Sequence, residues 1–345
     1  MSKAFRNLLR KVASGTHTSK DLTRAEAESA LVMMLTAEAT PAQIGAFLIA
    51  HRIKRPTPDE MAGMLDAYDR LGSKLEPVNN DKPVIILSSP YDGRSRTAPI
   101  SPITAIVLAA AGINVIMHGG DRMPTKEGIP FIEIWQGLDL NWQNLTLVQV
   151  HSVLDQTGLG FIYLPDRFPL AQAMVPYREQ IGKRPPLATL ELMWSPYKGV
   201  AHIACGFVHP PTETNMQQAF ALRGESKYTT VKGSEGSCDL PRDRTAIIGF
   251  GEERFMINAR DYGFSNLEVP LLSTPELIRD IQLALAGEQC EYGRSLIWNT
   301  GFYLWRMGRT EDLVTGFTLA ENLINSGKVQ QKLEEVKAAI AKNLK

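Results

Sequence analysis

The sequence predicts an α/β protein with a small N-terminal helical domain followed by a larger α/β domain, whose mostly parallel central sheet is surrounded by helices. Three observations support this: consecutive helix starts in the first part, a strand–loop–helix–strand unit beginning near residue 84, and later apolar runs separated by helical stretches. A chain of 345 residues is long enough for two unequal domains. We place the domains at 1–76 and 83–345, with the helices near 168–195 as candidates to complete the first.

The N-terminal domain is predicted from three helix starts that share one pattern. Residues 23–26, 40–43 and 57–60 each begin with Thr and carry Glu or Gln three residues later, which is the arrangement of a capping box. Two of the three also place Pro at the first helical position. Because apolar residues recur at helical spacing behind each start, the segments should pack together as a bundle.

The second domain begins after a polar linker at 76–82. The apolar run 84–87 should be a buried strand, the alanine-rich segment from Ser101 to Ala111 a helix, and 115–117 the next strand, which together form a βαβ unit. Further strands are expected at 161–163, 201–205, 229–231 and 246–248. The last third should be helical, with helices that begin at Thr274 and cover 310–324 and 329–340.

Composition limits the classes of function. Lys plus Arg (37) equals Asp plus Glu (37), a balance that is not typical of a dedicated nucleic-acid binder but leaves room for a local basic groove. The three cysteines are widely spaced, which favours reduced thiols over a disulfide framework or a zinc site. The longest apolar stretch, 103–117, is too short to span a bilayer. We therefore expect a soluble, cytoplasmic protein without a membrane partner.

The loop after the first strand, 88–97, is the first candidate for a ligand site. In an open α/β sheet, ligands bind beyond the carboxyl ends of the strands, and this loop lies there. Gly93 allows a tight turn, Arg94 and Arg96 could neutralise an anion, and Ser101 could add a hydroxyl at the helix N-cap. We expect a phosphate site; the alternative is an ordinary polar loop with exposed arginines.

Two later loops could complete such a site. In the loop at 118–128, Gly119, Thr125 and Lys126 are candidates for contact with a diphosphate, whereas a lone histidine such as His118 is more often structural than catalytic. In the loop at 232–239, Glu235 and Asp239 could hold Mg²⁺ bridged by phosphate. An acidic surface turn explains the same spacing equally well.

Several segments in order resemble anthranilate phosphoribosyltransferases (glycosyltransferase family 3). The resemblance covers roughly 22–337 and is carried by 22–27, 42–48, 60–64, 105–112, Arg178, 231–233, 287–299 and 320–328. It implies the two-domain fold, a homodimer formed through the N-terminal helices, and transfer of a phosphoribosyl group from phosphoribosyl diphosphate to an aromatic amine in tryptophan synthesis. The amine attacks the anomeric carbon while diphosphate leaves with Mg²⁺, so that stabilisation of diphosphate is the main catalytic work.

The loops depart from the family pattern. The glycine-rich first loop is replaced by Ser-Ser-Pro-Tyr-Asp-Gly at 88–93, which keeps only Asp92 and Gly93. A family lysine before His118 is missing. The family's Asp-Glu metal pair falls on 238–239, where only Asp239 is acidic and Glu235 could substitute. The chain resembles a divergent bacterial branch described as anthranilate phosphoribosyltransferase-like, some of whose members bind nucleic acid.

Two main hypotheses follow. In the first, a pentosyltransferase binds phosphoribosyl diphosphate or another phosphorylated ligand, with Mg²⁺ at Asp239 and Glu235 and the acceptor at Arg178. Its phosphate contacts would come from Asp92, Gly93, Arg94, Ser101, His118, Gly119, Thr125 and Lys126. In the second, a non-catalytic protein binds single-stranded nucleic acid through Arg94, Arg96, Arg122, Lys183, Arg184 and Lys232. Nucleoside phosphorolysis is a third, weaker hypothesis.

Overall fold

The computed structural model describes residues 3–15, 17–251 and 253–344. The N-terminal helices have the bounds α1 Lys3–Val12, α2 Arg24–Leu35, α3 Pro41–Lys54 and α4 Pro58–Leu71. Each of the three predicted capping boxes is present, with the Thr hydroxyl accepting a backbone N–H and the Glu or Gln side chain accepting the N–H of that Thr. Local capping therefore fixes where α2, α3 and α4 begin.

Four short helices from the middle of the chain lie near this bundle. They are α8 Leu164–Arg167, α9 Pro169–Gln172, α10 Val175–Ile181 and α11 Leu187–Met193. Helix α10 packs against α3, and α11 packs against α4. Helix α11 also contacts β4 of the sheet, and the domain bounds, with the segment near 168–195 added to the first domain, stay a prediction.

A seven-stranded sheet forms the centre of the larger domain. Its strands are β1 Val84–Leu87, β2 Asn114–Gly119, β3 Leu159–Tyr163, β4 His202–Gly206, β5 Tyr228–Val231, β6 Ala246–Phe250 and β7 Glu253–Ile257, in the spatial order β3-β2-β1-β4-β5-β6-β7. Strands β1 to β5 pair in parallel, and β6 and β7 add antiparallel. The predicted fold, a helical domain beside a mostly parallel α/β domain, is confirmed.

Helices surround this sheet. They are α5 Ser101–Ala110, α6 Phe131–Gly137, α7 Leu147–Thr157, α12 Pro210–Leu222, α13 Thr274–Leu285, α14 Glu291–Arg306, α15 Leu313–Asn325 and α16 Lys328–Asn343. Helices α7 and α16 pack on each other, as do α14 and α15, and α12 lies against α4 of the bundle. The core strands are buried along their whole length, as expected for parallel strands covered on both faces.

One local expectation is corrected. The N-cap of α5 is Ile100, and Ser101 is the first helical residue. Helix α10 ends at Ile181, because Gly182 adopts a left-handed φ of 59° that stops it. Phe47 and Met34 are buried in the bundle core. Among the described residues, no helix is long and apolar enough to cross a membrane.

Candidate functional site

The site lies at the point in the sheet where the strand order reverses. Strand β1 pairs with β2 on one side and with β4 on the other, so the connections that follow β1 and β4 run apart. Such a switch point leaves a crevice at the carboxyl ends of the strands. The loops after β1, β2 and β5, which contain most of the predicted site residues, meet in this crevice.

Gly93 brings the first two of these loops into contact. It has a φ of 70°, and a Cβ placed there would lie 2.5 Å from the carbonyl carbon of Gly128. The N–H of Gly128 donates to the carbonyl of Asp92 at 3.0 Å. Glycine is required at 93 by both its backbone conformation and this close approach. Lys126 adds a second tie, donating through Nζ to the carbonyl of Gly93 at 3.0 Å.

Arg94 points into the protein instead of towards solvent. Its side chain is 1% exposed, and Nη1 donates to Asp239 Oδ2 at 2.7 Å and to Ser237 Oγ at 2.8 Å. Its second terminal nitrogen donates to the hydroxyl of Thr97. This corrects the expectation that Arg94 contacts a phosphate or a nucleic acid, because the guanidinium is buried and both of its terminal nitrogens already donate to groups of the protein itself.

Glu235 is the second carboxylate near the Arg94 guanidinium. Its carboxylate accepts the backbone N–H groups of Arg96 and Thr97, each at 2.9 Å, and forms an ion pair with Lys126 Nζ at 2.7 Å. Arg94 Nε lies 3.5 Å from the same carboxylate. Burial alone would raise the pKa of Glu235, but the hydrogen bonds from Lys126 and from the N–H of Arg96 hold it well below its ordinary value. The Glu235 carboxylate is therefore ionised and already bound by groups of the protein itself.

The two predicted metal ligands do not fit Mg²⁺ as they stand. Asp239 Oδ2 is taken by Arg94 and by the N–H of Ile100 at 3.1 Å, while Oδ1 is buried without a partner among the described residues. Burial raises the pKa of the neighbouring Cys238 thiol, so it stays neutral. Within the described residues, no group of three or more His, Cys, Asp or Glu could hold a metal. Mg²⁺ needs a near-octahedral oxygen shell, which cation-paired carboxylates do not offer.

A cationic cavity of about 700 Å³ opens beside these carboxylates. Asp92 forms an ion pair with Arg184 Nε at 2.9 Å at its wall. Burial lowers the pKa of Lys126, against the raising effect of Glu235. Within the described chain the charged lining comprises two acidic residues, Asp92 and Glu235, and six basic ones, namely Arg96, Lys126, Lys183, Arg184, Lys232 and Arg244. The structure thus gathers Thr125 and most of the predicted cations around one space suited to an anion.

Arg244 is the cation that sequence reasoning missed. It follows β5 by more than ten residues, and its Nη1 forms an ion pair with the adjacent Asp243 at 2.7 Å. In the sequence it reads as one half of an exposed charge pair in a turn before β6. Because β6 pairs antiparallel with β5, it begins beside the carboxyl end of β5, and the turn before it brings Arg244 to the site. Predicting this pairing would have identified Arg244.

An apolar cavity of about 780 Å³ adjoins the cationic one. Its walls come from both domains: Arg52, Ile53, Arg55, Met61 and Met64 from the bundle, 207–209 from the loop after β4, and 210–212 from the start of α12. Apolar groups make up most of this lining. Arg184 and Val208 line both cavities. A ligand with an anionic end and an apolar end could therefore occupy the two spaces together.

His118 lies beneath the site and not in its walls. It is 1% exposed at the end of β2, and its Nδ1 lies 2.5 Å from the hydroxyl of Tyr91. Burial lowers the pKa of His118 to about 4, so the imidazole is neutral near neutral pH and Tyr91 can donate to it. Gly119 is buried beside it, and the buried hydroxyl of Ser101 has no partner among the described residues. None of these three lines the cationic cavity, so their expected phosphate contacts stay predictions.

Arg178 and Arg122 are also held by the protein. Arg178 is 2% exposed and forms an ion pair with Glu191, which is equally buried. It lines neither cavity, and its expected acceptor contact stays a prediction. Arg122 forms an ion pair with Glu133, with Nε 2.5 Å from Oε1, at the surface.

Comparison with known proteins adds two kinds of finding. Residues 6–72 match the helical bundle domain of a glycosyl transferase family, and residues 92–330 match the a/b domain of that family. The chain is 28% identical over 338 residues to the anthranilate phosphoribosyltransferase of Symbiobacterium thermophilum, covering 96% of each chain. It is 29% identical over 337 residues to that of Pseudomonas savastanoi, covering 93% of this chain and 94% of that protein.

Solved structures agree with the fold. Anthranilate phosphoribosyltransferase from Saccharomyces cerevisiae, in complex with PRPP (phosphoribosyl diphosphate) and Mg, superposes with a TM-score of 0.85 at 17% identity over 99% of both chains. The enzyme from Thermus thermophilus superposes with a TM-score of 0.79 at 19% identity, covering 99% of this chain and all of that one. Since the a/b-domain match alone covers more than half of its length, the chain belongs to this glycosyl transferase family.

Proposed function

We propose that the protein transfers a phosphoribosyl group from phosphoribosyl diphosphate to an aromatic amine, anthranilate or another. The observation that carries this proposal is the pair of adjoining cavities, one cationic and one apolar, that share Arg184 and Val208. Phosphoribosyl diphosphate is strongly anionic and an aromatic amine is flat and largely apolar, so each matches one cavity. The names of the curated relatives support the same reaction.

The chemistry needs little beyond positioning and charge. The bond between the anomeric carbon and the diphosphate oxygen breaks, the amine nitrogen bonds to that carbon and loses a proton, and diphosphate leaves. Positive charge beside the leaving group stabilises the negative charge that develops on it. Lys126, Arg184 and Lys232 line the cationic cavity and would supply this charge, and the ribose would lie near Val208, where the two cavities meet.

Calorimetry with phosphoribosyl diphosphate tests the first half of the proposal. We expect saturable binding that weakens by about tenfold in a Lys183→Ala/Lys232→Ala variant, which removes two of the cations of the cavity. Lys198→Ala is the matched control, because Lys198 is an exposed lysine that pairs with Glu76 away from the cavity. Absence of any binding heat at millimolar ligand would overturn the proposal.

Rescue of a tryptophan auxotroph tests the acceptor. Growth would identify anthranilate as an acceptor used in the cell. Failure of a well-expressed protein that still binds phosphoribosyl diphosphate would redirect the search to other aromatic amines, with the loss of anthranilate fluorescence as the assay in vitro. The homodimer expected from the family resemblance is a further proposal, and light scattering of the purified protein tests it.

Binding of single-stranded nucleic acid is the second candidate. Arg96, Lys183 and Arg244 are exposed at the mouth of the cationic cavity, where phosphates of a strand could reach them. Titration of single-stranded DNA at rising salt tests it. Affinity that falls steeply with salt, and a shallower slope in an Arg96→Ala/Lys183→Ala variant, would support this candidate over the enzyme.

A further inference from the structure

The region between the loops after β1 and β5 holds two buried carboxylates and two cations from the same chain. Arg94 Nη1 is 2.7 Å from Asp239 Oδ2, and Arg94 Nε is 3.5 Å from Glu235 Oε1, so one guanidinium bridges both carboxylates. Lys126 Nζ adds a second cation 2.7 Å from Glu235. The formal charge of this group of four side chains is zero.

We infer that Arg94 and Lys126 permanently take the place of a divalent cation, so that the neighbouring cavity binds phosphorylated ligands as free anions, without Mg²⁺. The ligand half of this inference rests on the proposed function. The half that concerns the metal does not, because it depends only on how the four side chains pair.

A metal ion could bind between Asp239 and Glu235 only if Arg94 moved. Its side chain is 1% exposed and is held by Ser237 and Thr97 as well as by Asp239. Glu235 is likewise fixed by the N–H groups of Arg96 and Thr97. A divalent ion would have to displace a buried guanidinium whose two terminal nitrogens are hydrogen-bonded, and would meet repulsion from Lys126.

The charge of the cavity points the same way. Six basic and two acidic side chains line it within the described chain, and both acidic ones are already paired, Asp92 with Arg184 and Glu235 with Lys126. Among the described residues, Lys183 and Lys232 have no ion-pair partner. A diphosphate would thus find cations supplied by the protein itself, where a metal-dependent site would rely on Mg²⁺ to neutralise it.

Titration of the protein with Mn²⁺ tests the metal half directly. Mn²⁺ prefers the same oxygen ligands as Mg²⁺, and its free form is measured by electron paramagnetic resonance. We expect no saturable binding by the wild type. Arg94→Ala leaves Asp239 and Glu235 without the bridging guanidinium, and this variant should bind about one Mn²⁺ per chain, at least about tenfold more tightly than the wild type. Its melting temperature should rise on addition of Mg²⁺, while that of the wild type should not.

Arg96→Ala is the matched control, because it removes an arginine of the same loop whose side chain is 78% exposed and leaves both carboxylates covered. It should behave as the wild type towards Mn²⁺. If Arg94→Ala fails to fold, Asp239→Asn decides the question: Mn²⁺ binding by the wild type that Asp239→Asn abolishes would overturn the inference. Equal absence of binding in both supports it.

Inorganic diphosphate separates this inference from the proposed function. We expect the wild type to bind it in the presence of EDTA. Binding that appears only with Mg²⁺ would contradict the inference and leave the proposed function standing. If diphosphate binds under neither condition, the proposed function fails, whereas the comparison of wild type with Arg94→Ala still tests the replacement of the metal.

Discussion

At the scale of single residues, a buried ion pair outside both cavities ties two short helices together. Arg178 and Glu191 are both fully covered and form this pair. A buried charge is tolerated only when its partner is present, because its removal from water is not otherwise repaid. The pair therefore constrains α10 against α11, the two helices that each hold one member.

Removing one member of this pair should destabilise the protein more than removing both. We expect Arg178→Met to lower the free energy of unfolding by about 3–5 kcal/mol, because it leaves Glu191 buried and unpaired. The double variant Arg178→Met/Glu191→Leu should lose less, since no charge is left uncompensated. Urea unfolding of the three proteins measures this, and a double variant less stable than the single one would contradict it.

Arg94 shows how far single residues could be read from the sequence. Its position in the loop after β1 and its positive charge predicted a contact with a phosphate. The inward direction of its side chain could not be predicted, because the partner carboxylate of Asp239 lies 145 residues further along the chain. A cation in a loop looks the same whether it faces a ligand or another part of the protein.

At the scale of elements, one carboxylate organises the helical bundle. Glu60, in the first turn of α4, is fully buried and accepts the N–H groups of Leu22 at 2.9 Å and Thr57 at 2.8 Å. It also pairs with Lys54 at 2.9 Å and contacts His51 Nε2 at 3.3 Å, both on α3. Burial would raise the pKa of Glu60, but these hydrogen bonds and His51 lower it to about 2.

This lowered pKa predicts an acid-sensitive bundle. In the unfolded chain Glu60 takes up its proton near its ordinary pKa of 4.5, whereas in the folded protein it does so only near 2. The stabilisation is therefore complete above about 4.5 and is lost as the pH falls towards about 2. Glu60→Gln should be less stable near neutral pH and show a flatter decline through this range in urea unfolding. Glu38→Gln, at an exposed position, is the control and should keep the steep decline of the wild type.

Elements were predictable where local signals decide them. The capping boxes of α2, α3 and α4 and the apolar runs of β1 to β6 were all anticipated, because capping and burial on both faces leave clear patterns. Strand β7 was missed: it is an edge strand that begins with Glu253 and Arg254, both exposed, and its antiparallel pairing with β6 needs no buried run. Only the tertiary pairing makes it a strand.

At the scale of the whole molecule, the apolar cavity exists only because the two domains face each other. Ile53 at the end of α3 is 64% exposed and lines this cavity across from the loop after β4. The cationic cavity lies where the sequence predicts a ligand crevice, since a βαβ unit predicts one at strand ends. The apolar cavity could not be predicted, because the sequence does not specify how the bundle sits on the sheet.

A charge placed at this boundary should affect the acceptor and not the fold. We expect Ile53→Asp to raise the KM for the aromatic amine by about tenfold, since an apolar wall becomes charged, while diphosphate affinity stays unchanged. Val148→Asp is the matched control, because Val148 is 79% exposed on α7 and lines neither cavity. An unchanged KM for every amine that the protein uses would remove the apolar cavity from the acceptor site.

The tie between Arg94 and Asp239 also bears on the order in which the protein is made. Synthesis runs from the N-terminus, so the arginine emerges 145 residues before its carboxylate, and β4 and β5 are completed in between. Until then the loop after β1 carries an unneutralised cation in water. The net charge of the crevice is therefore established late, when β5 joins the sheet. An incomplete chain exposes a more basic surface than the complete protein.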